Sequence, residues 1–380
     1  MKMRAALLAA IVLCGVLLAI RDWRPERDAN PVERPIAVVN SPGELPGDSP
    51  LFRERFIQDE QPGLMAHVAS IAPLKDGRMA AVWYAGTREG ARDVAILLAT
   101  YDGRKWSEPR ALVDRRLCSR ETSMAVKKVG NPVIFRDRDS RLWLVYSSVI
   151  AGGWSAASLN YKVSNDFGQT WTPSRKLLLS PLFNLTYNVK NGPILLDDGS
   201  FVLPIYHEMA KKRSALLHVR PEGGEVSYQV QRITFRDEAI QPSLVSWGDG
   251  RLLATFRNMA GGHVLNATSD DGGWKWSDLK PLDLPNPDAG LDAIRIGPKT
   301  VLAALNDSPK DRSNLSLAVS DDRGASWRIA RVLEQKPGME YAYPSLAIDD
   351  GGLIHLVYTY ERKAIKHVVF NETWLREALP

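Results

Sequence analysis

The sequence predicts an all-β protein, a six-bladed β-propeller of four-stranded antiparallel blades closed by an N-terminal strand. Two observations carry this prediction. A motif of the form S-x-D-x-G-x-x-W occurs three times, and pairs of apolar strands joined by short turns recur about every 45 to 60 residues. A chain of 380 residues, 44% of them hydrophobic and 24% charged, can bury the core that this fold needs.

The repeated motif has the chemistry of a β-hairpin turn. Its Asp can accept hydrogen bonds from turn N–H groups, its Gly supplies a positive φ, and its Trp can fill the gap between neighbouring sheets. The complete copies occupy residues 164–171, 269–276 and 320–327, and a degenerate copy at 100–106 lacks one residue between its Asp and its Trp.

Each motif belongs to a longer unit with the pattern of a four-stranded meander. The first strands are expected at residues 67–74, 132–135, 193–196, 242–246, 293–296 and 344–348. The turns that follow them lie at residues 75–77, 137–139, 197–199, 248–250, 297–299 and 349–351. Unit six has no obvious fourth strand, and the strand-like residues 51–57 precede unit one. We therefore expect this N-terminal segment to complete the sixth blade and remove an exposed edge.

The N-terminus has the pattern of an export segment. Lys2 and Arg4 precede an unbroken apolar run over residues 5–20, which predicts a signal anchor or signal peptide over residues 1–22. No small-residue cleavage site follows it, which favours the uncleaved anchor. Six prolines in residues 23–50 predict an extended linker, so the propeller should occupy residues 51–380. We expect an exported protein, anchored in the inner membrane and facing the periplasm.

Charge and cysteine content narrow the partners. The formal net charge is +5 and the pI about 9.1, with Lys and Arg scattered along the chain. This bias suits an anionic glycan or a membrane surface, and it does not suit a nucleic-acid binder, which would cluster its basic residues. Cys14 and Cys118 are the only cysteines, so we expect no disulfide within the propeller, no cysteine-ligated metal and no cofactor.

The three motif copies on a six-unit β chain resemble the Asp boxes of the sialidase-like (neuraminidase, BNR-repeat) superfamily. Residues 83–90, 203–208 and 341–344 are similar to its bacterial predicted-neuraminidase branch. In that superfamily the boxes lie on the face away from the active site. The resemblance thus implies a structural role for Asp166, Asp271 and Asp322.

Candidate functional residues follow from the expectation that a propeller ligand meets the inner strands and the loops around the central axis. The first strands supply His67, Asn131, Gln241, Asp292 and Tyr343. The loops after the second strands supply Arg88, Glu89, Asp93, His207, Glu208, Arg257, Asn306, Asp307 and Arg362.

The resemblance implies roles for part of this set. A sialidase binds the carboxylate of its sugar with three arginines, uses a Tyr activated by a Glu as nucleophile, and uses an Asp as acid and base. Arg257 is similar to one of those arginines, and Tyr343 to the nucleophile. The F/Y-R-I-P motif of the first arginine is absent, because residues 66–70 read Ala-His-Val-Ala-Ser. On unit five, Asn306 and Asp307 stand where a third arginine would be sought.

We expect catalysis from Glu89, Asp93, His207, Glu208 and Tyr343, and substrate binding from His67, Arg88, Asn131, Gln241, Arg257, Asn306 and Arg362. In a scheme with two carboxylates, Glu89 or Asp93 would face Glu208 across the axis.

The sequence therefore favours a glycoside hydrolase that acts on an oligo- or polysaccharide, which can be anionic. Two alternatives stay open. A polysaccharide lyase on a uronate-containing glycan would use a His or Tyr base and an Arg on the carboxylate. A non-catalytic propeller would only bind the glycan.

Overall fold

The computed structural model describes residues 49–179, 187–208, 212–233 and 238–377. The export segment predicted at residues 1–22 lies outside the described residues, as does nearly all of the linker predicted at 23–50. No helix in the described part of the chain has the length and apolar character needed to cross a membrane.

The described residues form six antiparallel sheets in chain order around one axis, which confirms the six-bladed propeller. Blade 1 contains β2 (Met65–Pro73), β3 (Met79–Gly86), β4 (Ala95–Tyr101) and β5 (Arg110–Asp114), and blade 2 contains β6 (Lys128–Arg136), β7 (Leu142–Val149), β8 (Ala157–Ser164) and β9 (Arg175–Lys176). In blade 3 the inner strand is split into β10 (Tyr187–Val189) and β11 (Ile194–Leu195), followed by β12 (Phe201–His207), β13 (Arg213–Glu222) and β14 (Glu225–Arg232).

Blade 4 contains β15 (Ala239–Ser246), β16 (Leu252–Asn258), β17 (His263–Ser269) and β18 (Lys280–Pro285), and blade 5 contains β19 (Asp292–Arg295), β20 (Val301–Leu305), β21 (Asn314–Ser320) and β22 (Arg328–Gln335). Blade 6 contains β23 (Tyr341–Ile348), β24 (Ile354–Tyr360), β25 (Ala364–Phe370) and, as its outer strand, β1 (Phe52–Gln58). The described helices are α1 (Arg115–Thr122), a 3-10 turn (Trp154–Ala156) and α2 (Glu372–Arg376).

The predicted closure of the ring is confirmed. β1 pairs antiparallel with β25, from Phe52 opposite Phe370 to Gln58 opposite Ile365. The first strand of the domain thereby becomes the fourth strand of the last blade, so the ring is held shut by a backbone ladder.

The Asp boxes form the turn chemistry that their sequence predicts. In the first box the Asp166 carboxylate accepts from the backbone N–H of Thr170 (2.8 Å), Gly168 adopts a φ of 89°, and the Trp171 indole donates to the Gly168 carbonyl (3.1 Å). The Thr170 hydroxyl and N–H lower the pKa of Asp166 to about 2. The equivalent bonds of Asp271 and Asp322 recur in blades 4 and 5. We call this side of the propeller, which also carries the first hairpin turns, the turn end.

The inner strands of four blades are interrupted at the same place. The strand registers shift after His67, Gly130, Ile240 and Ala342. Within the shifts, four residues other than glycine take a positive φ: Val68 (51°), Asn131 (46°), Gln241 (52°) and Tyr343 (53°). Such bulges turn side chains out of the regular alternation of a strand and are frequent beside active sites.

In the degenerate box at residues 100–106, the Trp indole does not donate to a Gly carbonyl as in the complete boxes. It begins a buried series of hydrogen bonds instead. The Trp106 indole donates to Nδ1 of His367 (3.1 Å). Nε2 of His367 lies 3.0 Å from Nδ1 of His355, and Nε2 of His355 lies 3.2 Å from the Asp349 carboxylate. Because indole only donates, each neutral histidine must carry its hydrogen on Nε2 and pass its hydrogen bond on toward Asp349. The hydrogen bonds therefore join blade 1 to blade 6.

This series of hydrogen bonds should make the closure sensitive to acid. Burial, with His355 and Arg55 nearby, holds the pKa of His367 well below 6.5. The unfolded chain then binds more protons than the folded one, so the stability should fall as the pH drops below about 6.5. We expect the melting temperature to decline between pH 7 and pH 5 and to decline less in His367→Gln, whose amide keeps an acceptor and a donor but does not titrate. Circular dichroism melts check this, with the exposed His263→Gln as control. Equal slopes in the wild type and His367→Gln would contradict it.

Candidate functional site

The candidate site lies at the end of the propeller opposite the Asp boxes, which we call the loop end. The described loops from second to third strands and the described connections between blades open here. The side chains of the site come from these loops and connections, from the ends of second strands and from the bulged inner strands. The topology therefore separates the site from the structural turns, as the resemblance implied.

Three guanidinium groups converge at the loop end from blades 4, 5 and 6. Arg257, at the end of β16, places Nη1 3.3 Å from the Tyr343 hydroxyl and Nε 2.6 Å from the Asp288 carboxylate. Arg312, in the loop after β20, places its guanidinium carbon 5.5 Å from the centre of the Tyr343 ring. Arg362, in the turn after β24, joins this group through Glu340.

Carboxylates alternate with these arginines. Glu340 lies between two of them, 3.4 Å from Nη1 of Arg312 and 2.9 Å from Nε of Arg362. Nη1 of Arg362 is also 3.0 Å from Glu89. The alternation offsets the repulsion between the guanidinium groups and holds their positions before any ligand binds.

Tyr343 contacts two of the three arginines, Arg257 and Arg312. Its hydroxyl lies within hydrogen-bond distance of Arg257, and the imidazole of His67 packs edge-on against its ring at 5.0 Å. Its backbone φ is 53°, and Gly290 lies so close that a Cβ there would stand 3.0 Å from its ring. Backbone and neighbours together fix the direction of the phenol.

His67 is a buried neutral imidazole. Its Nδ1 lies 3.1 Å from the Thr359 hydroxyl, which also accepts the Val68 N–H. Burial, with the positive charges of Arg362 and Arg312, holds the pKa of His67 well below 6.5. A neutral His at this position cannot supply the charge of the absent F/Y-R-I-P arginine.

The blade 1 loop places the predicted residues in different surroundings. Glu89 accepts from the Trp154 indole (3.0 Å) and from Arg362, so both of its oxygens have donors. Asp93 is exposed and accepts from the N–H and hydroxyl of Thr87. These bonds, first that from the N–H, lower the pKa of Asp93. Arg88 is exposed on the same loop. Of this loop, only Glu89 enters the arginine and carboxylate network.

Blade 3 contributes a half-buried carboxyl group with a raised pKa. Glu208 follows β12, and burial raises its pKa although the charge of Arg257 opposes the shift. Its neighbour His207 ends β12 with its ring edge-on to Tyr187.

Tyr206, also on β12, connects blade 3 to Arg257. The buried Tyr206 hydroxyl accepts from Gln241 (3.2 Å), whose amide oxygen is 3.4 Å from Arg257. Burial raises the pKa of Tyr206 far above its usual value.

Two further predicted residues are placed differently. Asn131 takes the bulge position of blade 2 and is partly exposed. Asn306 is fully buried, and its amide donates to the Tyr341 carbonyl (2.8 Å) and to Asn314. Its side chain therefore joins blade 5 to blade 6 behind the site.

Four members of the network are not among the residues that the sequence predicts, namely Arg312, Asp288, Glu340 and Trp154. Arg312 lies in the loop after β20 and not on a strand of unit five. Asp288 and Glu340 lie in connections between blades, which contain none of the predicted residues. The signal that could have found them is topological, because these connections open at the same end as the loops after second strands.

No group of three His, Cys, Asp or Glu side chains with the arrangement of a metal site occurs within the described ranges.

The close approach of Gly290 yields a prediction. An added Cβ would lie 2.9 Å from the Gln241 amide oxygen and 3.0 Å from the Tyr343 ring, so Gly290→Ala must displace one of them. We expect a loss of about 1–3 kcal/mol in the free energy of unfolding, as for other overpacked cores. Urea unfolding measures it. Gly192→Ala, whose Cβ meets nothing within 4 Å, is the control. A Gly290→Ala protein as stable as this control would refute the packing described here.

The profile of the BNR repeat-like domain family matches residues 77–356. A curated relative, the sialidase of Bacteroides fragilis (strain YCH46), is 21% identical over 279 residues, which cover 66% of this chain and 50% of the relative. The chain thus spans half the length of that relative.

Solved structures share the fold. A Hadza microbial sialidase, Hz136, superposes with a TM-score of 0.66 at 16% identity, covering 80% of this chain and 65% of that one. A protein of unknown function from Dyadobacter fermentans superposes with a TM-score of 0.66 at 14% identity, covering 84% of this chain and 99% of that one. At these identities the likeness is one of fold.

Proposed function

The chain belongs to the BNR repeat-like domain family, and from that premise we propose that it is a glycoside hydrolase acting on a saccharide that carries a carboxylate. The observation that supports the proposal is the position of Arg257 at the Tyr343 hydroxyl and of Arg312 over the Tyr343 ring, with Arg362 joined to Arg312 through Glu340. A planar guanidinium can bind a carboxylate through two parallel hydrogen bonds, which an ammonium group cannot.

The arginines would orient the sugar through its carboxylate. Arg257 and Arg312 lie on the two sides of the Tyr343 side chain, one at its hydroxyl and one over its ring. A carboxylate bound between them would bring the carbon that bears it next to the phenol oxygen. Asp288 and Glu340 hold the two guanidinium groups in place, so their order is established before the ligand arrives.

Tyr343 would act as the nucleophile and Glu208 as the proton donor. The Tyr343 phenol would lose its proton to solvent water, and its oxygen would attack the anomeric carbon while the bond to the leaving oxygen breaks and Glu208 gives that oxygen its proton. Hydrogen bonding from Arg257 would stabilise the negative charge on the attacking oxygen. Water would then attack the anomeric carbon and give a proton to the Glu208 carboxylate, while the released Tyr343 oxygen takes a proton back from solvent.

A lyase is the second candidate, favoured by the contact of the neutral His67 with Tyr343. In that reaction a neutral base would take the proton next to a uronate carboxylate neutralised by arginine.

The products distinguish the hydrolase from the lyase. The purified full chain is incubated with sialosides and with uronate-containing glycans, and both the released reducing ends and the absorbance of an unsaturated product are measured. Reducing ends without the unsaturated product support the hydrolase. Turnover of neither class, with binding retained, would overturn the enzymatic proposal.

The third arginine provides one test. Arg312→Gln should raise the KM for a carboxylate-bearing substrate and lower kcat/KM by about 10- to 100-fold, the effect of losing a charge-assisted hydrogen bond of about 1.5–3 kcal/mol. Steady-state kinetics measure the change. Arg220→Gln is the matched control, since Arg220 also pairs with a carboxylate, Asp198, but at the turn end. Equal kcat/KM in the two variants would rule out a binding role for Arg312.

The raised pKa of Glu208 provides a second test of the proposed hydrolase. As a proton donor Glu208 acts in its protonated form, so activity should fall as the pH rises through that pKa. Glu208→Gln should remove this limb of the pH profile and lower kcat by about 10²- to 10⁴-fold. An aryl glycoside, whose leaving group needs no proton, should recover most of the loss. Glu225→Gln, on the outer side of blade 3, is the control. An unchanged pH profile in Glu208→Gln would exclude the role.

A further inference from the structure

The inner strand of blade 3 is broken where the other inner strands bulge. Between β10 and β11 lie Lys190 and Asn191, each only 3% exposed at the propeller axis. A buried lysine is rare unless its charge is satisfied. Neither side chain belongs to the network of arginines and carboxylates at the loop end.

The Lys190 ammonium has three hydrogens and three acceptors. They are the Asn191 side-chain oxygen (2.8 Å), the Pro344 carbonyl (2.5 Å) and the Leu291 carbonyl (3.3 Å). The Asn191 amide donates in turn to the Pro242 carbonyl (3.0 Å), the Leu291 carbonyl (3.2 Å) and the Gln241 carbonyl (3.3 Å). Two adjacent side chains of blade 3 thus bind the backbones of blades 4, 5 and 6.

Three of these carbonyls lie at the bulges that carry site residues: those of Gln241 and Pro242, and that of Pro344, which follows Tyr343. Gln241 and Tyr343 hold positive φ values that cost free energy in any residue with a side chain. Each is followed by a proline, Pro242 or Pro344, which has no N–H to pair. The bulges therefore depend on contacts from outside their own strands, and Lys190 and Asn191 supply them.

The charge of Lys190 is compensated from blade 5. Asp292 is buried and accepts from the Ser243 hydroxyl (2.8 Å) and the Leu346 N–H (2.8 Å), and it is the ionisable group that acts on Lys190. Burial, only partly opposed by Asp292, lowers the pKa of Lys190 to about 8.

We propose that Lys190 and Asn191 are positioning residues, which fix the bulged backbones of Gln241 and Tyr343 and thereby set the affinity of the site for its ligand. The statement about affinity rests on the proposed function, whereas the statement about the backbone does not. The two are measured separately.

The backbone is tested by hydrogen exchange. In Lys190→Met, the protection factors of the amides in residues 341–348 and 239–246 should fall by about tenfold, the effect of losing a hydrogen bond to a charged group. The matched control is Lys162→Met, which also removes a buried lysine from a carboxylate partner, Glu121, but in blade 2. Equal protection of these strands in the two variants would overturn the proposal.

The remaining Asp292 charge could unfold Lys190→Met. The double variant Lys190→Met/Asp292→Asn removes that charge, and Asn191→Asp keeps the shape of the side chain while replacing its donor by an acceptor. Both should show the same local loss of protection. Normal protection in both would contradict the proposal.

Affinity is tested with free N-acetylneuraminic acid by isothermal titration calorimetry. Binding should weaken at least as much as protection falls in the axial variants, and should be unchanged in Lys162→Met. Wild-type protein that does not bind this acid counts against the proposed function alone, since the exchange experiment still decides the positioning role.

A pH series adds a readout that a merely structural role would not move. Above about pH 8 the neutral amine has two hydrogens for three acceptors, so wild-type protection in residues 341–348 should decline there. The decline should be missing from Lys190→Met. Its persistence in that variant would assign the titration to another group and refute the role of the ammonium.

Discussion

Closure of the ring by the pairing of β1 with β25 is the constraint on which the candidate site depends. Glu89 and Arg362 are separated by 273 positions in the chain, yet they form an ion pair across the junction of blades 1 and 6. The same junction brings the Ala66 N–H to the Arg362 carbonyl (3.0 Å) and the Val68 N–H to the Thr359 hydroxyl (3.0 Å). Without the closing strand, His67 and Glu89 would be at one edge of an open sheet assembly and Tyr343 and Arg362 at the other.

The charges of the site impose a second condition. Three guanidinium groups close together would repel one another, and each carboxylate between them lowers that cost. Asp288, Glu340 and Glu89 have this function whether or not they touch a ligand. An acidic residue beside an arginine is therefore weak evidence for proton transfer. Glu208 is distinguished by burial, which raises its pKa although the charge of Arg257 opposes the shift.

The sequence predicts features that depend on contacts between residues close together in the chain better than features that depend on contacts between distant residues. The Asp boxes are local, because each Asp binds groups within four residues of itself, and so the repeat alone predicts blades and turns. The closure was predictable because a missing strand and a surplus strand are both visible in the pattern. Arg312, in the loop after β20, and Glu340, in the connection from blade 5 to blade 6, have no such local signal, because the groups they meet depend on the finished ring.

The role of a residue also depends on its backbone, which the sequence conceals. Asn131, Gln241 and Tyr343 were selected as inner-strand polar residues, but a positive φ in each is what turns it from the strand alternation. Prolines follow all three, and proline disfavours the helical region in the residue before it. Each bulge thus combines a local restriction with a carbonyl that must find a donor. For the carbonyls of Gln241 and of Pro344, which follows Tyr343, that donor comes from blade 3. The geometry at the Tyr343 phenol is therefore a property of four blades together and of no single strand.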